Sequence, residues 1–170
     1  MFRTIWGFWG LLLFFSMCLS VTPLFFILLF ILGNRNSRCL IWVANNFFSP
    51  IYFLLTLIHI KSCGSENISK DKNYIIVGNH SSIVDFMAHA WSSPVLFKYL
   101  SKVENTKIPF FGYLIRHISI LVNRKDRTST RNGYENLKEE LGKGFSIFIY
   151  PEETRNKKNK PLGDFFPRSF

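Results

Sequence analysis

At 170 residues the chain is long enough for one domain plus a membrane segment, and too short for two full domains. Its formal charge of +10 points to anionic partners; with no RNA- or DNA-binding signature present, lipid headgroups and phosphorylated metabolites come ahead of nucleic acid. Cys18, Cys39 and Cys63 are scattered, show no Cys-x-x-Cys spacing or Cys/His cluster that would hold a metal, and read as reduced thiols of a cytosol-facing protein.

Ile5 to Leu32 is an uncharged apolar run of 28 residues. About 20 apolar residues suffice to cross a bilayer. The run is too long for a signal peptide and lacks a small-residue cleavage site, so a retained membrane helix is expected, with a kink at Pro23. Trp6 and Trp9 suit an interfacial belt. Asn34 to Arg38 is a basic turn. The apolar run from Leu40 to Ile60 is interrupted by Asn45-Asn46 and Ser49-Pro50. It is either half of a broken hairpin or a helix lying in one leaflet. Residues 1–60 carry Arg3, Arg35 and Arg38 and no acid, which leaves topology open. The polar stretch Lys61 to Asn73 marks the boundary between a membrane-associated part, 1–60, and a domain over 61–170.

From Tyr74 the pattern alternates. Tyr74 to Val77 is a short β-branched run, expected as a buried strand, after which Gly78 lets the chain turn. Ser81 or Ser82 is expected to cap a helix over Ile83 to Trp91. Val95 to Leu100 is the second strand, Ile108 to Ile115 a turn and short helix, and Ile118 to Val122 the third strand. Arg127 to Leu141 has helical spacing and ends at Gly142 and Gly144. Phe145 to Tyr150 is the fourth strand. Strands alternating with helices predict an α/β fold with a largely parallel sheet flanked by helices.

Ligands of such sheets bind beyond the carboxyl ends of the strands. His80 follows the first strand, Lys102 the second, Arg124 the third, and Glu152, Thr154 and Arg155 the fourth. One edge would then carry a base and three cations, suited to an anionic substrate with a hydroxyl to activate. Asp85 falls in the first turn of the helix after His80. A carboxylate there can fix the imidazole tautomer and leave the other ring nitrogen to take a proton. The competing reading is plainer: charged strand ends kept for solubility, and Arg124 paired with Asp126.

Asn79-His80-x4-Asp85 resembles the Asn-His-x4-Asp box of the glycerophospholipid acyltransferases, the family of lysophosphatidate acyltransferase. Two companions follow in order. Ile118-Ser119-Ile120-Leu121-Val122-Asn123-Arg124 resembles the Gly-x-Ile-Phe-Ile-Asp-Arg box, with Ile118 for glycine and Asn123 for aspartate. Tyr150-Pro151-Glu152-Glu153-Thr154-Arg155 resembles the Pro-Glu-Gly-Thr-Arg box, with Glu153 for glycine. The resemblance covers about residues 61–167. It implies a membrane-surface O-acyltransferase, preceded by a hydrophobic helix or helical pair, with the catalytic part on the cytoplasmic side.

By that resemblance His80 is the general base and Asp85 its orienter. Lys102, Arg124, Glu152, Thr154 and Arg155 bind the acceptor, with Lys107 competing for the role of Lys102. The acceptor is a lysophospholipid, foremost 1-acylglycerol 3-phosphate, and the donor is acyl-CoA or acyl carrier protein, with no cofactor and no metal. Backbone N–H groups near Ile83 are expected to help hold the oxyanion. No Gly-x-Ser-x-Gly elbow suggests a covalent intermediate. The family's fourth box would lie beyond Phe170. A truncated copy is therefore expected, either active or a catalytically impaired membrane-anchored remnant. A membrane protein that merely binds anionic lipid explains the charge but not three ordered boxes.

Overall fold

The computed structural model describes residues 2–32, 37–123, 126–156, 163 and 165. Its centre is a four-stranded sheet in the order β1-β4-β2-β3, with every neighbouring pair parallel. The strands are β1 (Ile75–Val77), β2 (Phe97–Lys102), β3 (Ser119–Val122) and β4 (Ser146–Ile149). Between them run α4 (Asp85–Ser92), α5 (Phe111–Ile118) and α6 (Arg127–Gly142), preceded by α1 (Phe2–Leu32), α2 (Ser37–Val43) and α3 (Ser49–Leu55). The expected alternation and parallel sheet are therefore present.

Strand β4, not β1, is the buried centre. All four β4 residues are buried, whereas β1 leaves Ile75 and Val77 56% and 49% exposed. Among the described strands β1 pairs with β4 alone, so its apolar side chains lie at the sheet's edge. The period of two divides β4 between two layers. Ile147 and Ile149 pack with Ile120 and with Leu137 of α6, while Phe148 packs with Phe97 and with Ala90 of α4. Burying an isoleucine as fully as Ile147 stabilises the fold by about 1.5–3 kcal/mol.

Element limits differ from the sequence reading for local reasons. Strand β2 starts two residues late, because Ser93 Oγ donates to the Val95 carbonyl and accepts from its N–H, which holds the chain in a turn around Pro94. Helix α5 runs on through Ile118 and shortens β3 by one residue. Helix α6 starts at its expected place, where Asp126 accepts from the Thr128 N–H at 3.0 Å. Gly78 keeps a negative φ, so it is not needed for an unusual turn. It is needed for room: a Cβ there would meet Phe148 Cζ at 2.5 Å.

Helix α1 is continuous through Pro23, and its stretch Thr4–Ile27 is long and apolar enough to cross a membrane. The second apolar run forms α2 and α3, joined by a π-helical turn over Ala44–Phe48. Asn46 and Ser49 satisfy carbonyls in this stretch, donating to Trp42 and Ala44. Helices α1 and α3 run antiparallel. Trp9 donates to the Leu55 carbonyl, Tyr52 to that of Gly10, and Phe14 meets Phe48 edge to face. One side of the pair rests on the domain through Phe14 against Phe86 and Phe111, and through Phe25 against Tyr113 and His117. The other side leaves Phe8, Leu12 and Leu54 at least 65% exposed, an apolar surface suited to lipid.

Candidate active site

Because the strands are parallel, their carboxyl ends share one edge, and β1 and β4 are neighbours there. His80 leaves β1 and the Tyr150–Asn156 loop leaves β4, so the first and third boxes meet. His80 Nδ1 lies 3.1 Å from Asp85 Oδ2. The carboxylate only accepts, so Nδ1 carries the hydrogen and Nε2 the lone pair. The His80 side chain is 22% exposed and that of Asp85 18%. Both side chains are thus half-buried, with part of each open to solvent.

The start of α4 differs from expectation. The helix begins at Asp85, and Ser81 and Ser82 do not cap it. Instead Asp85 Oδ2 accepts the N–H groups of both serines, each at 2.7 Å, while also holding His80. Burial opposes its ionisation, but the His80 contact and the Ser82 and Ser81 hydrogen bonds prevail and hold its pKa below the usual carboxylate value. These amides, and that of Val84, which donates to Ser82 Oγ, are engaged within the loop itself.

The third box fastens the first. Glu152 Oε1 accepts from the His80 N–H at 3.2 Å, and the Asn156 N–H donates to the His80 carbonyl at 2.6 Å. Glu152 is 2% exposed, buried beneath the loop. Thr154 and Arg155 are exposed on that loop. Glu153 takes φ +55°, the left-handed conformation for which glycine is suited. Lys102 ends β2, two strands from β1 and about 10 Å across the sheet at normal strand spacing. Arg124 lies outside the described residues. The structure thus brings His80, Asp85 and Glu152 together, with Thr154 and Arg155 exposed on the Glu152 loop and Lys102 on the same edge.

Two aromatic partners and a second histidine complete the surroundings. The Tyr150 ring stacks on the His80 imidazole with centroids 4.3 Å apart and 27° between planes. Its hydroxyl meets His89 Nδ1 at 2.9 Å, and its other neighbour, Tyr99, donates to the Phe86 carbonyl at 2.6 Å. Burial pushes the Tyr150 hydroxyl pKa well up, so it donates. Burial likewise lowers the pKa of His89, with Asp85 opposing and His80 adding to the effect, and a neutral ring accepts. Sequence reasoning overlooked His89. The available signal was its place four residues after Asp85, on the same helix face. Among the described residues no group of three or more His, Cys, Asp or Glu is placed to hold a metal ion.

A parallel α/β sheet with a carboxylate-oriented histidine at its carboxyl edge defines a class capable of activating a hydroxyl. Comparison with known proteins makes the class specific. Residues 59–168 match the family model described as Acyltransferase, and the chain belongs to that family. It is 34% identical over 101 residues to the 1-acyl-sn-glycerol-3-phosphate acyltransferase of Borreliella burgdorferi, covering 59% of this chain and 40% of that protein. It is 29% identical over 125 residues to the enzyme of the same name from Helicobacter pylori, covering 73% and 49%. The chain thus spans two fifths to one half of these relatives' lengths. The crystal structure of PlsC, the 1-acyl-sn-glycerophosphate (LPA) acyltransferase of Thermotoga maritima, matches with a TM-score of 0.74 at 25% identity, over 98% of this chain and 68% of that one. That likeness takes in the N-terminal helices, which lie ahead of the family match.

Proposed function

We propose that the chain transfers a fatty acyl group from a thioester donor to the free hydroxyl of a lysophospholipid, foremost 1-acylglycerol 3-phosphate, to give phosphatidic acid. The observation that carries this reading is the His80–Asp85 pair, held at the sheet's carboxyl edge by the Glu152 loop in a chain of the acyltransferase family. His80 Nε2 takes the hydroxyl proton as the acceptor oxygen attacks the thioester carbonyl. The carbon–sulfur bond then breaks, and the imidazolium returns the proton to the leaving thiolate. Asp85 keeps the tautomer and stabilises the imidazolium. General-base assistance of this kind supplies about 10²–10⁴-fold.

Arg155, Lys102 and Arg124 are assigned to the acceptor phosphate, with Thr154 beside them, because guanidinium groups hold phosphate oxygens two at a time. Glu152 positions His80. The division at residue 60 belongs to this reading: the helical pair of 1–60 seats the domain of 61–170 on the cytoplasmic face of a membrane and delivers the lipid. Glu153 favours a second reading, a catalytically impaired copy, since it adds a negative charge to the loop assigned to phosphate.

The test is acyl transfer by the full chain in membranes, with lysophosphatidate or lysophosphatidylcholine as acceptor and acyl-CoA or acyl carrier protein as donor. Phosphatidate formed from lysophosphatidate, with little product from lysophosphatidylcholine, supports the assignment. Equal use of both acceptors removes the phosphate-binding role of the cations.

A further inference from the structure

Arg38, in the first turn of α2, lines a hollow of about 500 Å³ at the sheet edge opposite His80. Lys98 near the start of β2 and Phe145 just before β4 form its floor, and Arg116 and Lys143 stand at its rim. Strand β4 alone places about 13 Å between the two edges.

The hollow is built around cations. Phe145 is 3% exposed, and the Arg38 guanidinium and the Lys98 ammonium lie 4.7 and 4.8 Å from its ring centroid. Arg38 also donates to the Lys143 carbonyl at the end of α6. Gly144 leaves room for this: its φ is +84°, and a Cβ there would meet Arg38 Nη2 at 2.6 Å. Among the described lining residues Glu140 is the one carboxylate; it is shared between Lys98 at 2.7 Å and Lys143 at 3.1 Å, and Lys143 also pairs with Glu139 outside the lining at 2.7 Å. Arg38 and Arg116 have no ion-pair partner among the described residues. The lining therefore keeps a surplus of positive charge aimed at an open space.

Its position says what fills that space. Arg38 sits in the first turn of α2, directly after the apolar α1, and Trp42 of the same helix is 48% exposed, as an interfacial anchor would be. Cations beside a membrane-seated helix attract anionic lipid, with a Debye length limiting the reach. We infer that this hollow binds the phosphate of an anionic phospholipid headgroup, as a site separate from the acyl-transfer edge. Arg38 and Arg116 hold the phosphate oxygens, and the bound lipid fixes the domain's tilt on the membrane.

The test uses the full chain in a neutral maltoside detergent and a photoreactive dihexanoyl phosphatidate, with cross-linked peptides mapped for the wild type, for R116Q/K143Q and for K138Q. Arg116 and Lys143 are exposed, so their loss leaves folding intact, and Lys138 is an exposed cation of α6 outside the hollow. Labelling near Arg38 and Phe145 is expected in the wild type. It should fall about ten-fold or more in R116Q/K143Q, as the loss of two interfacial cations implies, and stay unchanged in K138Q. Labelling around residues 150–155 should persist in all three. No labelling near Arg38 in the wild type, or an equal fall in K138Q, overturns the site. Displacement by glycerol 3-phosphate as readily as by unlabelled dihexanoyl phosphatidate overturns the lipid assignment in favour of a free phosphate ester.

Discussion

The Tyr150 ring lies flat against the His80 imidazole, 4.3 Å between centroids, while its hydroxyl is tied to His89 at 2.9 Å. One residue of β4's carboxyl end thus joins the first box to the helix that follows it. Tyr150→Leu should lower kcat about ten-fold or more with KM little changed, because the ring beneath His80 is lost. Tyr150→Phe keeps the stack and should stay within a few-fold of wild type in kcat. It should lose about 1–3 kcal/mol of stability through the unpaired His89. Steady-state kinetics and thermal unfolding separate the two.

Asp85 binds three groups through a single oxygen, Oδ2. Asp85→Asn should therefore lower kcat by about 10²–10⁴-fold, since an amide neither secures the tautomer nor stabilises the imidazolium. Stability should also respond to pH. The folded pKa of Asp85 lies below its ordinary value of 3.8, so its contribution is present above that pH and lost as pH falls through the folded value. His89, kept neutral by burial, contributes against acid from higher up: the unfolded ring takes a proton near pH 6.5 while the folded one resists, so stability declines as pH falls below that point. Unfolding of wild type and Asp85→Asn followed from pH 7 downward should show the acid-most loss in the wild type alone.

Glu152 is assigned here to holding His80, not to holding substrate. Glu152→Gln keeps an acceptor for the His80 N–H and should retain most activity. Glu152→Ala leaves that N–H unpaired in a buried setting, costs about 1–3 kcal/mol, and should lower kcat more than it raises KM. A large rise in KM for both variants, with kcat preserved, would return Glu152 to the acceptor.

Glu153 occupies the left-handed region at φ +55°. Glu153→Gly should stabilise the chain by about 1 kcal/mol, near the cost of a left-handed non-glycine residue. It also removes a carboxylate from the loop assigned to phosphate, so KM for lysophosphatidate should fall. A higher melting temperature with no change in KM would place the charge away from the acceptor.

The alternation of apolar runs made the parallel sheet legible, and box spacing made His80, Asp85 and the β4 loop legible. What stayed hidden depended on neighbours far along the chain. Ile75 and Val77 read as core because β-branched residues pattern alike in edge and central strands, and only the strand order exposes them. The serines after His80 read as caps because capping is their commonest use there, whereas the side chain of Asp85 takes their amides instead. The motif gave no sign that Glu152 is buried with an oxygen on the His80 backbone 72 positions away. Tyr150 and His89 carried no motif of their own, and their pairing appears only when β4 lies beside β1.

The most direct test of the central claim is transfer of a labelled acyl group from acyl-CoA to lysophosphatidate by membranes carrying the full chain, beside His80→Ala at equal protein level. The account predicts labelled phosphatidate from the wild type and a loss of about 10²-fold or more in the variant. Equal activity in both would remove His80 as the base, and the mechanism with it.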